Sequence, residues 1–273
     1  MIDYAMTDEV YHTRPELSST GARSLLPEFD GSPAKFQWMQ GREFNTPAFD
    51  VGKAVHAKVL GVGAEAVAYP EELLASNGAA STKAAKEWAE DARANGMVPM
   101  KAVEVHVINK IVEAVMSNPD ARKVLELPHR ETSIFNVSPE GIPVRARFDV
   151  YGNGAAADLK TTLDASPRGF ARSVVKYGYY MQEAWYRDVH RWETGLELEK
   201  FKFIAVQTTG PYQVAVHELD AEFRQIGFKL AETARETYAR CRETGMWPGV
   251  PGELLSPPNW LTYEYEDELE LTL

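Results

Sequence analysis

The sequence predicts a mixed α/β fold, in which a central mixed β-sheet is flanked by helices and preceded by a mainly helical part. Two observations predict it. Helical patterns fill the first 120 residues, and apolar residues then adopt the two-residue period of β-strands near residue 131. From there the patterns alternate between strands and helices to residue 245, which is the order expected of helices packed on a sheet.

Size and composition predict one large domain. The chain has 273 residues, of which 44% are hydrophobic and 25% charged, so it can bury a core and is not disordered as a whole. We predict a single domain over residues 1–252, made of a helical part (1–120) and a sheet-containing core (131–245). Residues 253–273 form an acidic tail, with six acids and no Lys or Arg.

Net charge, cysteine content and hydropathy exclude several classes of protein. The net charge of −11 argues against a protein that coats nucleic acid through its overall charge, but a local basic channel stays open. A single cysteine, Cys241, excludes an internal disulfide, a cysteine-only zinc site and a four-cysteine iron–sulfur cluster. Because neither a signal peptide nor an apolar run of membrane-spanning length is present, we expect a cytoplasmic protein.

Cap residues and apolar spacing predict five helices in the first part of the chain. Ser18 or Ser19 can cap a helix through Leu26, Pro33 begins another through Met39, and Asp50 can cap residues 51–60. The abundance of alanine, lysine and glutamate predicts a fourth helix over residues 82–95. Apolar residues at four-residue spacing predict a fifth, from Val103 to Val115.

Alternating polarity and turn residues predict five strands in the rest of the chain. A meander of three strands covers residues 131–137, 142–151 and 155–161, with turns at residues 138–141 and at Asn153-Gly154. One helix is predicted over residues 166–192. Two further strands, at residues 201–207 and 213–219, precede a long helix over residues 221–244.

The Asn153-Gly154 turn predicts which residues of the meander face each other. A two-residue turn places Asp149 directly opposite Asp158, and like charges at that distance are destabilising unless a positive charge lies between them. Lys160 lies on the same face of the strand as Asp158. Core packing fixes the direction of these charges, because the other face is apolar. That face comprises Val144, Ala146, Phe148, Val150, Ala157 and Leu159.

Two opposed carboxylates and a lysine suit a divalent metal site. Hard oxygen ligands bind Mg²⁺ or Mn²⁺, which keep water ligands and accept phosphate oxygens. A nearby ammonium group can orient or deprotonate a water, or stabilise charge on a phosphate. The pattern therefore indicates phosphodiester hydrolysis. The same spacing also fits a solvated hairpin in which Arg145, Arg147 and Lys160 form ordinary ion pairs with the two aspartates.

Several motifs together resemble one branch of a nuclease superfamily. They resemble the core motif of the PD-(D/E)XK nucleases and features of its RecE (exonuclease eight) branch, and the resemblance extends over residues 18–260. It implies the restriction-endonuclease-like form of the mixed α/β fold. The motifs are Asp149 with Asp158-Leu159-Lys160, a helix carrying Gly52 and His56, Glu131 at the start of a strand, and Tyr179-x-x-Gln182-x-x-x-Tyr186.

The resemblance implies a role for each of these residues. The metal, Mg²⁺ or alternatively Mn²⁺, would be held by Asp149, Asp158, His56 and the backbone carbonyl of Leu159. Lys160 would be the catalytic lysine, and Tyr179 and Gln182 would face the DNA strand at the active site. Glu131 would support the site through water, although a charge that protects a sheet edge from aggregation is an equal interpretation. An isolated histidine is more often an ordinary helical residue, so only the motif favours His56 as a ligand.

The helix after the hairpin carries a stripe of positive charge. Arg168, Arg172 and Lys176 recur at four-residue spacing, so they share one helical face, and no acid interrupts residues 165–178. Such a stripe can bind the phosphates of DNA. A solvated face without a ligand is the alternative for any run of charge.

The resemblance further implies an activity and its partners. It implies a metal-dependent 5′→3′ exodeoxyribonuclease that acts on the ends of linear double-stranded DNA and leaves 3′ single-stranded tails for phage or prophage homologous recombination. It also implies a ring-shaped homo-oligomer and a single-strand-annealing, RecT-like recombinase as partner. Two alternatives are a RecB-like nuclease of another polarity and a catalytically silent DNA-binding recombination protein.

Overall fold

The computed structural model describes residues 1–42, 47–252 and 254–265, with residues 47–50 described by their backbone alone. Within these ranges the strands are β1 Ile2–Asp3, β2 Glu65–Ala68, β3 Met97–Met100, β4 His129–Val137, β5 Pro143–Gly152, β6 Ala155–Thr162, β7 Lys200–Gln207 and β8 Val214–His217. The helices are α1 Asp8–Thr13, α2 Ser19–Arg23, α3 Pro33–Met39, α4 Pro47–Leu60, α5 Lys83–Ala94, α6 Ala102–Ser117, α7 Pro119–Val124, α8 Pro167–Tyr177, α9 Tyr179–Thr194, α10 Ala221–Thr244 and α11 Asn259–Glu264.

Six of the strands form one mixed sheet in the order β1-β4-β5-β6-β7-β8, and β2 pairs with β3 in a small parallel sheet. Neighbours in the large sheet are antiparallel except β6 and β7, which are parallel. Helices α8 and α9 connect these two strands, as a parallel pair requires a crossover. The predicted mixed α/β fold, with a central sheet flanked by helices, is confirmed.

Both faces of the sheet are buried. In β7, Phe201 and Phe203 pack in one apolar cluster, and Ile204 and Val206 pack in another, because successive side chains of a strand point to opposite faces. Helices α9 and α10 contribute to the first cluster, and α4, α6 and α7 contribute to the second. The sheet is therefore the middle layer between two groups of helices.

The prediction of a single apolar face on the hairpin is wrong. All six residues of that face are buried, but Val144, Ala146 and Phe148 belong to the first cluster and Val150, Ala157 and Leu159 to the second. Strand β5 changes its apolar face between Phe148 and Val150. At this point the pairing with β4 omits residues 131 and 149, and residue 131 has a φ of 50°, so both strands are irregular there.

Three helices also differ from the prediction by more than two residues. Helix α2 ends at Arg23, three residues before the predicted end at Leu26. The helix predicted over residues 166–192 is two helices, because Gly178 adopts a left-handed φ of 67° between them and a Cβ there would lie 2.8 Å from the Phe29 ring. Helix α4 begins at Pro47, so the predicted start after Asp50 is wrong. Of the predicted acidic tail, residues 253 and 266–273 lie outside the described residues. None of the helices in the described ranges is long and apolar enough to cross a membrane.

Candidate active site

The predicted site residues converge where strands β5 and β6 separate. The Asn153-Gly154 turn has the two positive φ angles that such a turn needs, 53° and 73°, and the predicted register is found at the Gly152–Ala155 and Val150–Ala157 pairs. The pairing ends at Val150–Ala157. The residues that follow on the two strands are Asp149 and Asp158, so both aspartates lie at the opening between the strands.

Asp149 bonds to the neighbouring strand with its side chain. Its Oδ2 accepts a 2.7 Å hydrogen bond from the backbone N–H of Leu159. If the pairing of β5 and β6 continued, a backbone carbonyl would accept this hydrogen bond. Here the carboxylate accepts it, so the buried backbone N–H keeps a partner. The paired register thus stops one residue short of the predicted Asp149–Asp158 pair, and the two carboxylates are close enough for the charge of Asp158 to raise the pKa of Asp149.

Helix α4 places His56 against the same two strands. Nε2 of His56 lies 2.5 Å from the carbonyl oxygen of Leu159, and Nδ1 lies 3.5 Å from Oδ2 of Asp149. The helix faces β6 at Gly52, where a Cβ would be in ordinary van der Waals contact with Oγ1 of Thr161, at 3.5 Å. The imidazole, the Leu159 carbonyl and the Asp149 carboxylate, which the resemblance implies as metal ligands, are therefore neighbours.

Glu131 completes a cluster of potential ligands. One ligand atom each from His56, Glu131 and Asp149 lies within 4.8 Å of the others, and this is the one such cluster among the described residues. Imidazole nitrogen and carboxylate oxygen together suit Mn²⁺ and, less well because of the nitrogen, Mg²⁺. The cluster includes Glu131, which the resemblance did not imply as a direct ligand, and it does not include Asp158.

Burial makes the cluster electrostatically unfavourable without a cation. Burial, and then the negative charge of Asp158, raise the pKa of Asp149 to about 7, against the opposing effect of His56. Asp158 is buried as well, but its Oδ1 has the ammonium group of Lys160 as its partner. A buried carboxylate with a raised pKa, as in Asp149, fits the binding of a divalent cation.

Lys160 is held as a cation beside Asp158. Its Nζ lies 2.5 Å from Oδ1 of Asp158 and 4.5 Å from the centroid of the Tyr179 ring. Burial alone would lower the pKa of Lys160, but the charges of Asp158, Tyr179 and Asp149 outweigh it and raise the pKa above its ordinary value. A lysine in this state carries its positive charge near neutral pH and can stabilise negative charge on a nearby group.

Helix α9 supplies the remaining predicted residues. Gln182 donates a hydrogen bond from Nε2 to Oδ2 of Asp158. Tyr179 covers Lys160, and burial raises the pKa of its hydroxyl. Tyr186, two helical turns after Tyr179, belongs to the core, and its ring centroid lies 4.8 Å from that of Phe148.

Arg145 and Arg147 do not pair with the aspartates. Arg147 donates from Nε to Oε2 of Glu131 at 2.5 Å, and Arg145 binds the backbone carbonyls of Tyr11 and Arg14. The alternative of ordinary ion pairs therefore applies to Lys160 with Asp158 alone. The Arg147–Glu131 contact was not predicted from the sequence. In the observed register Arg147 lies opposite Ser133 and therefore diagonally across from Glu131.

The predicted DNA-binding stripe lies on the surface. Arg168, Arg172 and Lys176 are exposed on α8. The helix is attached to the end of β6, where Oγ of Ser173 lies 3.3 Å from Oγ1 of Thr162. The binding of DNA by these residues stays a prediction.

Known proteins resemble the chain in sequence and fold. Residues 22–254 match the family described as "PDDEXK-like domain of unknown function (DUF3799)". The structure is similar to the crystal structure of a "Putative exonuclease" from Eubacterium rectale, with a TM-score of 0.64 and 14% sequence identity over 96% of this chain and 98% of that chain. At this identity the similarity concerns the fold alone. No curated protein matches the chain.

Proposed function

Because the chain belongs to the family of PDDEXK-like domains, whose model covers most of its length, we propose that it is a divalent-metal-dependent nuclease. One observation carries the proposal: two carboxylates, an imidazole and a cationic lysine converge where β5 and β6 separate. These are the groups that phosphodiester hydrolysis requires, since it needs a cation site, charge stabilisation and a held water.

Each residue of the site has its own role in the proposed reaction. Asp149, Asp158, His56 and Glu131 would hold the cation, which when bound polarises the scissile phosphate and lowers the pKa of water. The oxygen of water attacks phosphorus in line and loses a proton to the solvent, while the bond from phosphorus to a sugar oxygen breaks and that oxygen takes a proton from the solvent. Lys160 stabilises the negative charge that develops on the phosphate. Gln182 holds Asp158 through its hydrogen bond to Oδ2, and Tyr179 limits the movement of the lysine.

The finer proposal follows the resemblance to the RecE branch. In it the enzyme is a 5′→3′ exodeoxyribonuclease that uses Mg²⁺, or Mn²⁺, on linear double-stranded DNA and leaves 3′ tails for recombination. The exposed stripe of Arg168, Arg172 and Lys176 supports contact with DNA, because it continues from the strand that carries Asp158 and Lys160. The resemblance is the support for polarity and for the recombination role.

Digestion of end-labelled duplex DNA tests the proposal. Linear DNA labelled at the 5′ or the 3′ end is incubated with Mg²⁺, Mn²⁺ or EDTA, using wild type, Lys160→Ala and the control Lys200→Ala, an exposed lysine at the start of β7. We expect early release of the 5′ label as mononucleotide with metal, and loss of release in Lys160→Ala alone. Early release of the 3′ label would contradict the polarity. No cleavage by folded wild type with either metal would contradict the nuclease and favour a silent DNA-binding protein.

A ring-shaped homo-oligomer and a RecT-like recombinase partner are also proposed. A ring around DNA would keep the enzyme on its substrate between successive cleavages, and the negative net charge of the chain is compatible with a basic channel inside an acidic exterior. Light scattering at micromolar concentrations should give a mass of several chains of 30.5 kDa. A mass of one chain throughout would contradict the ring.

A further inference from the structure

Arg147 is a buried arginine beside the candidate active site. It lies in β5, two residues before Asp149, and is 7% exposed. A buried guanidinium is strongly destabilising unless its N–H groups are paired. Here Nε donates to Oε2 of Glu131 at 2.5 Å, Nη1 to Oγ of Ser133 at 2.9 Å, and Nη2 to the carbonyl of Met6 at 3.1 Å. All three nitrogens are thus engaged in one fixed orientation.

Among the residues that Arg147 contacts, Glu131 has an irregular backbone. Its backbone has a φ of 50°, which is uncommon for a residue with a side chain, and its pairing with β5 is interrupted. Arg147 bonds one carboxylate oxygen and leaves the other for a second partner. The Glu131 carboxylate lies in the cluster with His56 and Asp149, within 4.8 Å.

We propose that Arg147 is a positioning residue, which fixes the Glu131 carboxylate in the cluster of His56, Glu131 and Asp149. The inference rests on the proposed function, in that this cluster is taken to bind a divalent cation. Residues behind the ligands of a metal site commonly orient them, and their loss weakens the metal affinity. Arg147 fits this role because its two other hydrogen bonds go to Ser133 and Met6, which are not members of the cluster, and these bonds anchor the guanidinium.

A substitution of Arg145 distinguishes the positioning of Glu131 from the anchoring of the N-terminal segment, residues 6–14. Both arginines bond backbone carbonyls of that segment and lie over the ring of Tyr11, with guanidinium-to-centroid distances of 4.6 Å for Arg145 and 5.1 Å for Arg147. Only Arg147 bonds Glu131 among the described residues. Arg145 is therefore a control in the same strand, with the same charge and with contacts to the same segment, although it is only partly buried.

The test measures Mn²⁺ affinity without DNA, by isothermal titration calorimetry at pH 8. Lysine keeps the charge of arginine but cannot reproduce its forked hydrogen bonds. We expect Arg147→Lys to weaken Mn²⁺ binding by about 10- to 100-fold, and Arg145→Lys to change it by less than about 3-fold. In a Glu131→Gln background, Arg147→Lys should have little further effect, because the carboxylate that it positions is already gone.

Three results would overturn the inference while leaving the metal site intact: unchanged affinity in Arg147→Lys, tighter binding in that variant, or an equal loss in Arg145→Lys. Absence of Mn²⁺ binding by wild type would contradict the proposed function itself. Circular dichroism in EDTA checks that each variant is folded. If Arg147→Lys does not fold, Ser133→Ala keeps both charges and removes one anchor; we expect a loss of about 2- to 5-fold, and unchanged affinity would overturn the inference.

Discussion

The two aspartates of the site lie on adjacent strands but are stabilised in different ways. Asp158 has a cation of the protein beside Oδ1, at 2.5 Å, and the Gln182 amide at Oδ2. Asp149 accepts a hydrogen bond from a backbone N–H, and Nδ1 of His56 lies 3.5 Å from its Oδ2. The charge of Asp158 is thus neutralised within the protein. The pKa of Asp149 is raised to about 7 by burial and by Asp158, so its charge requires a cation from outside.

Removal of Lys160 should give the largest effect and should separate catalysis from metal binding. We expect Lys160→Ala to lower the cleavage rate by about 10²- to 10⁴-fold, the range for a positioned catalytic side chain. Mn²⁺ affinity should not weaken, because Asp158 is released from its internal cation. Initial rates and calorimetry measure the two quantities, with Lys200→Ala as the control. A loss of Mn²⁺ affinity together with the loss of cleavage rate would contradict this distinction between the two aspartates.

Neutralising each aspartate should change stability in opposite directions. In EDTA at pH 8, Asp149→Asn should raise the free energy of unfolding by about 1–3 kcal/mol, since a buried carboxylate no longer has to ionise. Asp158→Asn should lower it by about 1–3 kcal/mol, since Lys160 loses its partner. Urea unfolding measures both. Changes of the same sign in the two variants would show that the aspartates are equivalent.

The pH dependence of stability follows from the same raised pKa. A carboxyl whose pKa is higher in the folded state, here about 7 against 3.8, contributes stability below pH 4 that is lost as the pH rises toward and through 7. Wild type in EDTA should therefore lose stability over this window relative to Asp149→Asn. A constant difference between the two proteins from pH 4 to pH 8 would contradict the raised pKa.

Gln182 should have a smaller effect than Lys160. Met is similar in length but lacks the amide that bonds Oδ2 of Asp158. We expect Gln182→Met to lower the cleavage rate by about 10-fold, the value of one hydrogen bond to a charged group. Gln225→Met, at an exposed glutamine of α10, is the control. An unchanged rate in Gln182→Met would remove Gln182 from the site.

The stripe on α8 should give the smallest effect. We expect Arg172→Gln to weaken binding of duplex DNA by about 2- to 3-fold and to lower the salt dependence by the share of one phosphate, a slope change of about 0.9. The exposed Arg240 of α10 is the control, as Arg240→Gln. Fluorescence anisotropy in EDTA, at several salt concentrations, measures both variants. Equal binding by wild type and Arg172→Gln would favour a solvated face.

Local signals in the sequence predicted the meander and most members of the site. The Asn153-Gly154 turn needs two positive φ angles and so determines the register as far as Val150–Ala157. The motif around Asp158 and Lys160 added the metal site by resemblance. These features depend on residues close in sequence, which is why they could be recognised without the structure.

Features that depend on distant contacts could not be predicted in this way. The pairing of β5 and β6 ends because the Asp149 carboxylate takes the N–H of Leu159, a competition between side chain and backbone that has no pattern in the sequence. The helix break at Gly178 depends on its approach to Phe29, about 150 residues earlier in the chain. The change of apolar face at Asp149 likewise depends on the irregular partner strand at Glu131.

Measuring the Mn²⁺ affinity and the number of protons released on binding tests most directly whether Asp149 is the carboxylate that requires an external cation. Mn²⁺ is titrated into wild type and Asp149→Asn at pH 6, 7 and 8, in buffers of different ionisation enthalpy. We expect the affinity of wild type to rise with pH, with release of about half a proton at pH 7, because a cation displaces the proton of a carboxyl with a pKa of about 7. Asp149→Asn should bind weakly and without this release. Equal affinity of the two proteins, or binding by wild type that is independent of pH, would contradict the account.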